Sequence, residues 1–251
     1  MTRLLTLLFA VMLALPAFAH EETKYPHVDW PQDGMFGTYD RASLQRGYQV
    51  YKQVCSACHA MKQMSYRNLS DLGYNEDQIK ALAAEVQVQD GPDDSGNMFD
   101  RPGKPSDHFK APFPNEKAAR AANGGAYPKD LSLMVKAREG HSDYVHALLT
   151  GFEDPPAGFK VPAGMYYNKY FEGHLIGMPP PLSADGLVSY ADGTVATKDQ
   201  MARDVTEFLS WASEPELETR KKMGLQILIF LGIFAVVMYF VKKQVWKGVK
   251  H

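Results

Sequence analysis

Between positions 42 and 55 apolar side chains recur at Leu44, Tyr48, Tyr51 and Cys55, the spacing that lays one face of a helix against a core. Asp40 stands just ahead and supplies an oxygen for the open amides of a first turn, so a helix is predicted over about 42–55. A second helix is predicted from Asn75, where Gln78 completes a capping box and Ile79, Leu82, Ala83 and Val86 form the apolar stripe. From Asp90 to Asn115 the pattern dissolves into a stretch with five prolines and three glycines, which reads as a long irregular connection. Such a loop inside a compact domain is usually functional or wrapped around something.

Shorter helices are expected over Glu116 to Asn123, stopped by Gly124 and Gly125, and near Leu131 to Arg138. Another is expected over Asp143 to Thr150, capped by Ser142 and ended by Gly151. Residues 154–182 are again rich in Pro, Gly and Tyr. The last helix before the C-terminal region opens at Thr197 with Gln200 as a capping-box partner, and Met201, Val205, Phe208, Leu209 and Ala212 line its buried side. Strand signals are sparse. The expected class is mainly α with long irregular loops, in one domain.

The two ends of the chain are apolar in different ways. Arg3 precedes an apolar run from Leu4 to Leu15 and then Ala17-Phe18-Ala19, the pattern of a cleaved secretory signal over residues 1–19. Met223 to Val241 is a longer run whose 19 residues would span about 28 Å as a helix, enough to cross a membrane once. Lysine and arginine flank that run on both sides, so charge alone gives a near tie for its orientation, and the signal decides it. Residues 20–219 are expected outside the cytoplasm, in the periplasm of a bacterial cell. Residues 220–251 are expected to anchor the chain in the inner membrane, with the basic C-terminus in the cytoplasm.

This division exposes a charge imbalance that the overall value of −2 hides. All 29 acidic residues fall in the exported part against 19 Lys and Arg, a formal charge of −10. Solubility accounts for such a surface, and so does steering of a basic partner. Nucleic acid is disfavoured as a ligand.

Both cysteines lie in Cys55-Ser56-Ala57-Cys58-His59. Cys-x-x-Cys-His is the attachment signature for c-type haem, because thiols three apart on a helical turn reach two vinyl groups while the adjacent imidazole meets the iron. A disulfide across so short a loop would stabilise little. Thiol exchange would call for a βαβ setting, and zinc for a further ligand pair, neither of which the sequence offers. For the far side of the iron, Met61 and Met64 are too near the turn, and Met134 and Met201 sit at core spacing. Met178 lies between Gly177 and Pro179-Pro180-Pro181, a stiff backbone that can approach a flat ring closely, with His174 as the other candidate. A methionine there favours electron transfer, whereas an open position would suit a gas or peroxide. Arg120 is a candidate partner for a haem propionate, or a surface arginine on a short helix.

From about Tyr39 to Trp246 the chain resembles the cytochrome c1 family, the haem subunit of quinol–cytochrome c oxidoreductase (the bc1 complex). The likeness rests on CSACH, AARAANGGAYPKDLSL (118–133), LLTGFEDPP (148–156), YYNKYFEGHLIGMPPPL (166–182) and WASEPELETRKKMG (211–224). The resemblance implies one haem c held through Cys55 and Cys58, ligated by His59 and Met178, with Arg120 and Tyr127 at a propionate. It further implies electron transfer from the Rieske iron–sulfur protein to a soluble or anchored cytochrome c, and a C-terminal helix in membrane lipid beside cytochrome b. The enzyme is then the whole complex, with no independent catalysis expected of this chain. Some bacterial members carry an extra cysteine pair near the distal side; this sequence has none, so packing and the proline run must hold Met178.

Overall fold

The computed structural model describes residues 24–248, so the expected signal over 1–19 lies outside the described residues. Helix α1 runs over Arg41–Gln53, and the Asp40 side chain accepts from the Ala42 amide, as its position ahead of the apolar stripe suggests. Helix α2 (Glu76–Ala84) opens with the reciprocal capping box between Asn75 and Gln78. Helix α3 covers Glu116–Ala122, α4 His141–Thr150 and α5 Lys198–Ser213. Thr197 caps α5 by accepting from the Gln200 amide at 3.1 Å. The Gln200 side chain does not reach back to the cap; it donates to Asp204 at 3.1 Å.

The core forms where α1 and α5 cross. Leu44 and Val50 on one helix and Met201 and Phe208 on the other are fully buried, each contributing about 1.5–3 kcal/mol. The helices meet so closely at Gly47 that a Cβ there would lie 2.0 Å from the Asp204 carbonyl oxygen. Asp204 is itself buried, and its carboxylate accepts from Ser43 Oγ at 2.8 Å and from Arg46 Nε and Nη2 at 3.0 Å. A charge with that many donors tolerates burial. Tyr48, Tyr51 and Tyr66 then gather around Phe109, Tyr51 stacked on its ring and the other two tilted against it.

The connection from Asp90 to Asn115 is more ordered than its composition suggests. Strands β1 (Gln87–Asp90) and β2 (Phe99–Pro102) pair antiparallel, with Gln87 opposite Pro102. Arg101 ties this hairpin together through Asp90 and Asp107. Beyond it, Tyr66 N donates to Asp107 O at 3.1 Å and Phe109 N to Met64 O at 2.9 Å, which draws the loop onto residues 64–66.

Two expected helices differ from the sequence reading. Residues 131–138 form turns rather than a helix, and their start is tied to the segment after the cysteines: Leu131 N donates to Ala60 O at 2.9 Å, and Ser132 Oγ accepts from Gln63 N at 3.1 Å. Helix α4 begins two residues earlier than expected, with Gly140 as its cap at φ 79 and Ser142 buried inside it. A Cβ at Gly140 would collide with the Tyr25 ring at 2.4 Å.

Strands β3 (Tyr166–Tyr167) and β4 (Leu175–Ile176) make a second small antiparallel pair. Helix α6 (Leu217–Val245) follows α5 after a short break. It belongs to the one described helix long and apolar enough to cross a membrane, and its apolar window is wholly unburied. The class is mainly α with long irregular loops, as expected.

Candidate haem-binding site

Helix α1 delivers the cysteines. Its ladder ends at Val54, and the chain tightens into a 3₁₀ turn over Cys55–Ala57, in which the Cys55 carbonyl accepts from both Cys58 N (3.1 Å) and His59 N (2.9 Å). The two thiols are unpaired. Burial pushes the Cys55 thiol up to about 12, the nearby Cys58 adding to the shift. That is the reverse of the lowered pKa a thiol-exchange site needs. Among the described residues no third His, Cys, Asp or Glu converges to complete a metal cage.

His59 Nδ1 lies 2.7 Å from the Lys129 carbonyl oxygen. A carbonyl only accepts, so Nδ1 carries the proton. Burial lowers the pKa of the imidazole against the opposing pull of Lys129 and Asp130. The neutral ring therefore keeps its lone pair on Nε2, the state in which histidine ligates iron. Residues 129–132 hold the turn from beside it: Asp130 accepts from Lys62 N at 3.0 Å and Ser132 Oγ from Gln63 N at 3.1 Å.

The distal candidate is carried quite differently. Met178 lies one residue beyond the end of β4, after Gly177, and is half-buried. The β3–β4 unit hangs from the end of α4 through Asn168, whose side chain is fully buried. Its Nδ2 donates to Leu148 O at 2.8 Å, and its Oδ1 accepts from Tyr170 N at 3.0 Å and Phe171 N at 3.2 Å. Lys169 N adds a bond to Gly151 O at 2.9 Å. His174, the other distal candidate, is exposed, sits at φ 60 and lies with Nδ1 3.3 Å from the Asn168 carbonyl, its ring stacked on Tyr167. That ring is engaged within its own hairpin.

The two sides meet around residues 120–129. A Cβ on Gly177 would lie 3.2 Å from Ala126 Cβ, so the backbone just before Met178 runs against this loop. Arg120 lies over the Tyr127 ring at 5.4 Å, and Lys129 reaches the same ring at 5.6 Å. Arg120 donates through Nε (2.8 Å) and Nη2 (2.6 Å) to Glu116 Oε1, and through Nη1 to Gly125 O at 3.0 Å. Of the five guanidinium N–H groups, one on each Nη is left over.

The family model described as "Cytochrome C1 family" matches residues 30–249. The chain belongs to the cytochrome c1 family. It is 52% identical over 239 residues to cytochrome c1 of Rhodospirillum rubrum, covering 89% of this chain and 88% of that protein. It is 51% identical over 225 residues to a mitochondrial cytochrome c1 heme protein of Solanum tuberosum, covering 90% and 86%. A protein of Bradyrhizobium diazoefficiens named cytochrome b/c1 is 50% identical over 245 residues, but this chain spans only 36% of its length.

The cytochrome c1 family implies haem c, and the residues present fit that group. Two unpaired thiols on one turn, an imidazole with its outer nitrogen available, a thioether on a stiff segment and an arginine with spare donors are the donor set such a group needs. Sequence reasoning named these residues as candidates and missed the groups that support them. The Lys129 carbonyl carries no side-chain signal, and Asn168 looks like any turn asparagine in a tyrosine-rich loop.

Proposed function

We propose that this chain is the membrane-anchored haem subunit of a bc1 complex, taking electrons from the Rieske iron–sulfur protein and passing them to a cytochrome c. The observation that carries the reading is His59, its Nδ1 held 2.7 Å from the Lys129 carbonyl one residue after an unpaired Cys-x-x-Cys turn. Haem c, when bound, supplies a one-electron couple at its iron.

Cys55 and Cys58 would hold that group covalently, their spacing set by the 3₁₀ turn that closes α1. The Lys129 carbonyl orients the imidazole of His59 and holds its proton on Nδ1, which would leave Nε2 for the iron. Met178 would offer its thioether to the iron, a ligand that raises the reduction potential and would leave no open position for a gas or peroxide. Arg120 offers its spare N–H groups to a propionate, and Tyr127 supports the guanidinium face from below. No substrate bond changes in this chain, so the catalysis belongs to the assembly.

The name cytochrome b/c1 carried by the Bradyrhizobium protein supports cytochrome b as a partner. Helix α6 then lies in membrane lipid beside it, with residues 20–219 in the periplasm, the signal at 1–19 removed and the basic tail in the cytoplasm. The charge of −10 on the exported part suits a basic acceptor cytochrome, whose reduction should slow as salt is added.

The test is a reduced-minus-oxidised optical spectrum of the chain isolated in mild detergent from its native membrane. Bands of b-type and c-type haem in fixed ratio, with quinol oxidation, are expected. A c-type band alone, without quinol oxidation, would overturn the assignment to the complex.

A further inference from the structure

Residues 29–40 run down the side of α5 and the first turns of α6 as an open loop with two limbs. On one limb Arg203 donates to the Asp29 carbonyl at 3.3 Å, and Gln32 Nε2 reaches Ser210 Oγ at 3.3 Å. On the other, Asp40 N donates to Glu207 at 2.8 Å and Tyr39 N to Glu218 at 2.9 Å. Lys221 joins the limbs, its Nζ donating to Gln32 O at 2.5 Å and to Gly37 O at 3.1 Å. Along both limbs the partners advance in one direction, toward Met223, where the apolar run of α6 begins.

The turn that closes the loop is therefore the part nearest that run. It is tight: Asp33 N donates to Trp30 O and Thr38 N to Pro31 O, both at 3.0 Å, and Gly34 sits at φ 67. Its tip carries Met35 and Phe36, 63% and 76% exposed. Neither side chain has a place in the core, although both belong to a segment otherwise pinned at every few residues.

We propose that Met35 and Phe36 form an interfacial foot that enters the headgroup–acyl boundary of the lipid beside α6 and so fixes the tilt of the haem domain over the membrane. This rests on the reading of α6 as the membrane span. The tip is at most three residues from a carbonyl held by Lys221, about 10 Å of chain. A bilayer's interfacial zone is about 5–8 Å deep on each side, so a tip beside the start of the span falls within it. Lys222 is exposed at the start of the span and suits lipid phosphates, as do the donors that Arg220 keeps beyond its ion pair with Glu214. An apolar tip with a basic collar is the composition that membrane interfaces hold.

Photocrosslinking of the whole complex in vesicles of phosphatidylethanolamine and phosphatidylglycerol tests it. The photoreactive analogue p-benzoylphenylalanine is placed at position 36, at Val237 inside the apolar run, and at Val195, which is 75% exposed at the opposite end of α5. The chain is expected to gain the mass of one phospholipid at positions 36 and 237 and none at 195. No lipid adduct at 36 with one at 237 overturns the foot and leaves the anchor intact; a protein crosslink at 36 assigns the tip to another subunit and also overturns it. No adduct at 237 overturns the anchor reading and the foot with it.

Discussion

The two faces of the site are built from different materials. On the proximal side His59 follows the 3₁₀ turn that closes α1, a helix whose inner side is sealed against α5 with Gly47 and Asp204 in direct contact, and the Lys129 carbonyl locks the ring. On the distal side Met178 lies one glycine beyond a strand of two residues, in a hairpin joined to the end of α4 through the Asn168 side chain, the Lys169–Gly151 backbone bond and the bridge between Phe152 and Asn168. The first arrangement distributes its stability over many buried side chains, so its shape survives the loss of any one polar contact. The second concentrates it in Asn168 and in the proline run, so it is the face where small changes should be felt at the iron.

The largest effect should come from breaking the proximal face covalently. Cys55→Ser would remove one of the two proposed thioethers and should abolish or strongly reduce accumulation of holo-protein, read as c-type haem per chain. Normal haem content would contradict attachment at Cys55. Met178→Leu comes next: it should keep the covalent haem, lower the potential and open the reduced protein to carbon monoxide. An unchanged potential would remove Met178 from the ligand set.

Asn168→Ala sharpens the comparison without touching either ligand. It strands the Leu148 carbonyl and the Tyr170 and Phe171 amides in a buried place, a loss of about 1–3 kcal/mol for each group left unsatisfied. The melting temperature should fall by several degrees, and carbon monoxide should gain partial access while haem content stays normal. Equal melting loss with no change in carbon monoxide access would make Asn168 a general structural residue rather than support for the distal face.

The contrast also explains what could be read in advance. Helix α1 was legible because Leu44, Tyr48 and Tyr51 repeat at helical spacing and Asp40 caps them, and every one of these features is local. The Cys-x-x-Cys-His motif, too, is read from five adjacent residues. The β1–β2 hairpin was not legible, since its residues are largely exposed and carry no apolar alternation; backbone pairing and Arg101 hold it. Residues 131–138 have helical spacing, but long-range bonds to residues 60–63 claim their neighbourhood, and no local pattern encodes that. Asn168 shows the limit most clearly, because its importance lies in three partners that only the fold brings together. The site residues came from a motif and a family likeness; their supports came from geometry.

The smallest expected effect concerns the opposite end of α4 from Asn168. Asp143 holds the N-terminal segment there, accepting from His27 Nδ1 at 2.9 Å, Trp30 Nε1 at 2.7 Å and Val28 N at 3.1 Å. Burial alone would raise the Asp143 pKa, but the hydrogen bonds from His27, Trp30 and Val28 outweigh it and the net shift is downward. The His27 pKa is raised by its hydrogen bond to Asp143 and by that carboxylate's charge. A lowered carboxylate stabilises the fold above its unfolded value of about 4 and loses that contribution as pH falls through the folded value. A raised histidine stabilises it below about 6.5 and loses that contribution as pH rises through the folded value. The segment should therefore be held most firmly between about pH 4 and 6.5 and loosen on both sides, slightly on the alkaline side because His27 is exposed. Hydrogen exchange at the Val28 amide and the Trp30 indole, corrected for intrinsic rates, measures this. Asp143→Asn should flatten the profile at both sites; an unaltered profile would mean that the carboxylate does not hold the segment.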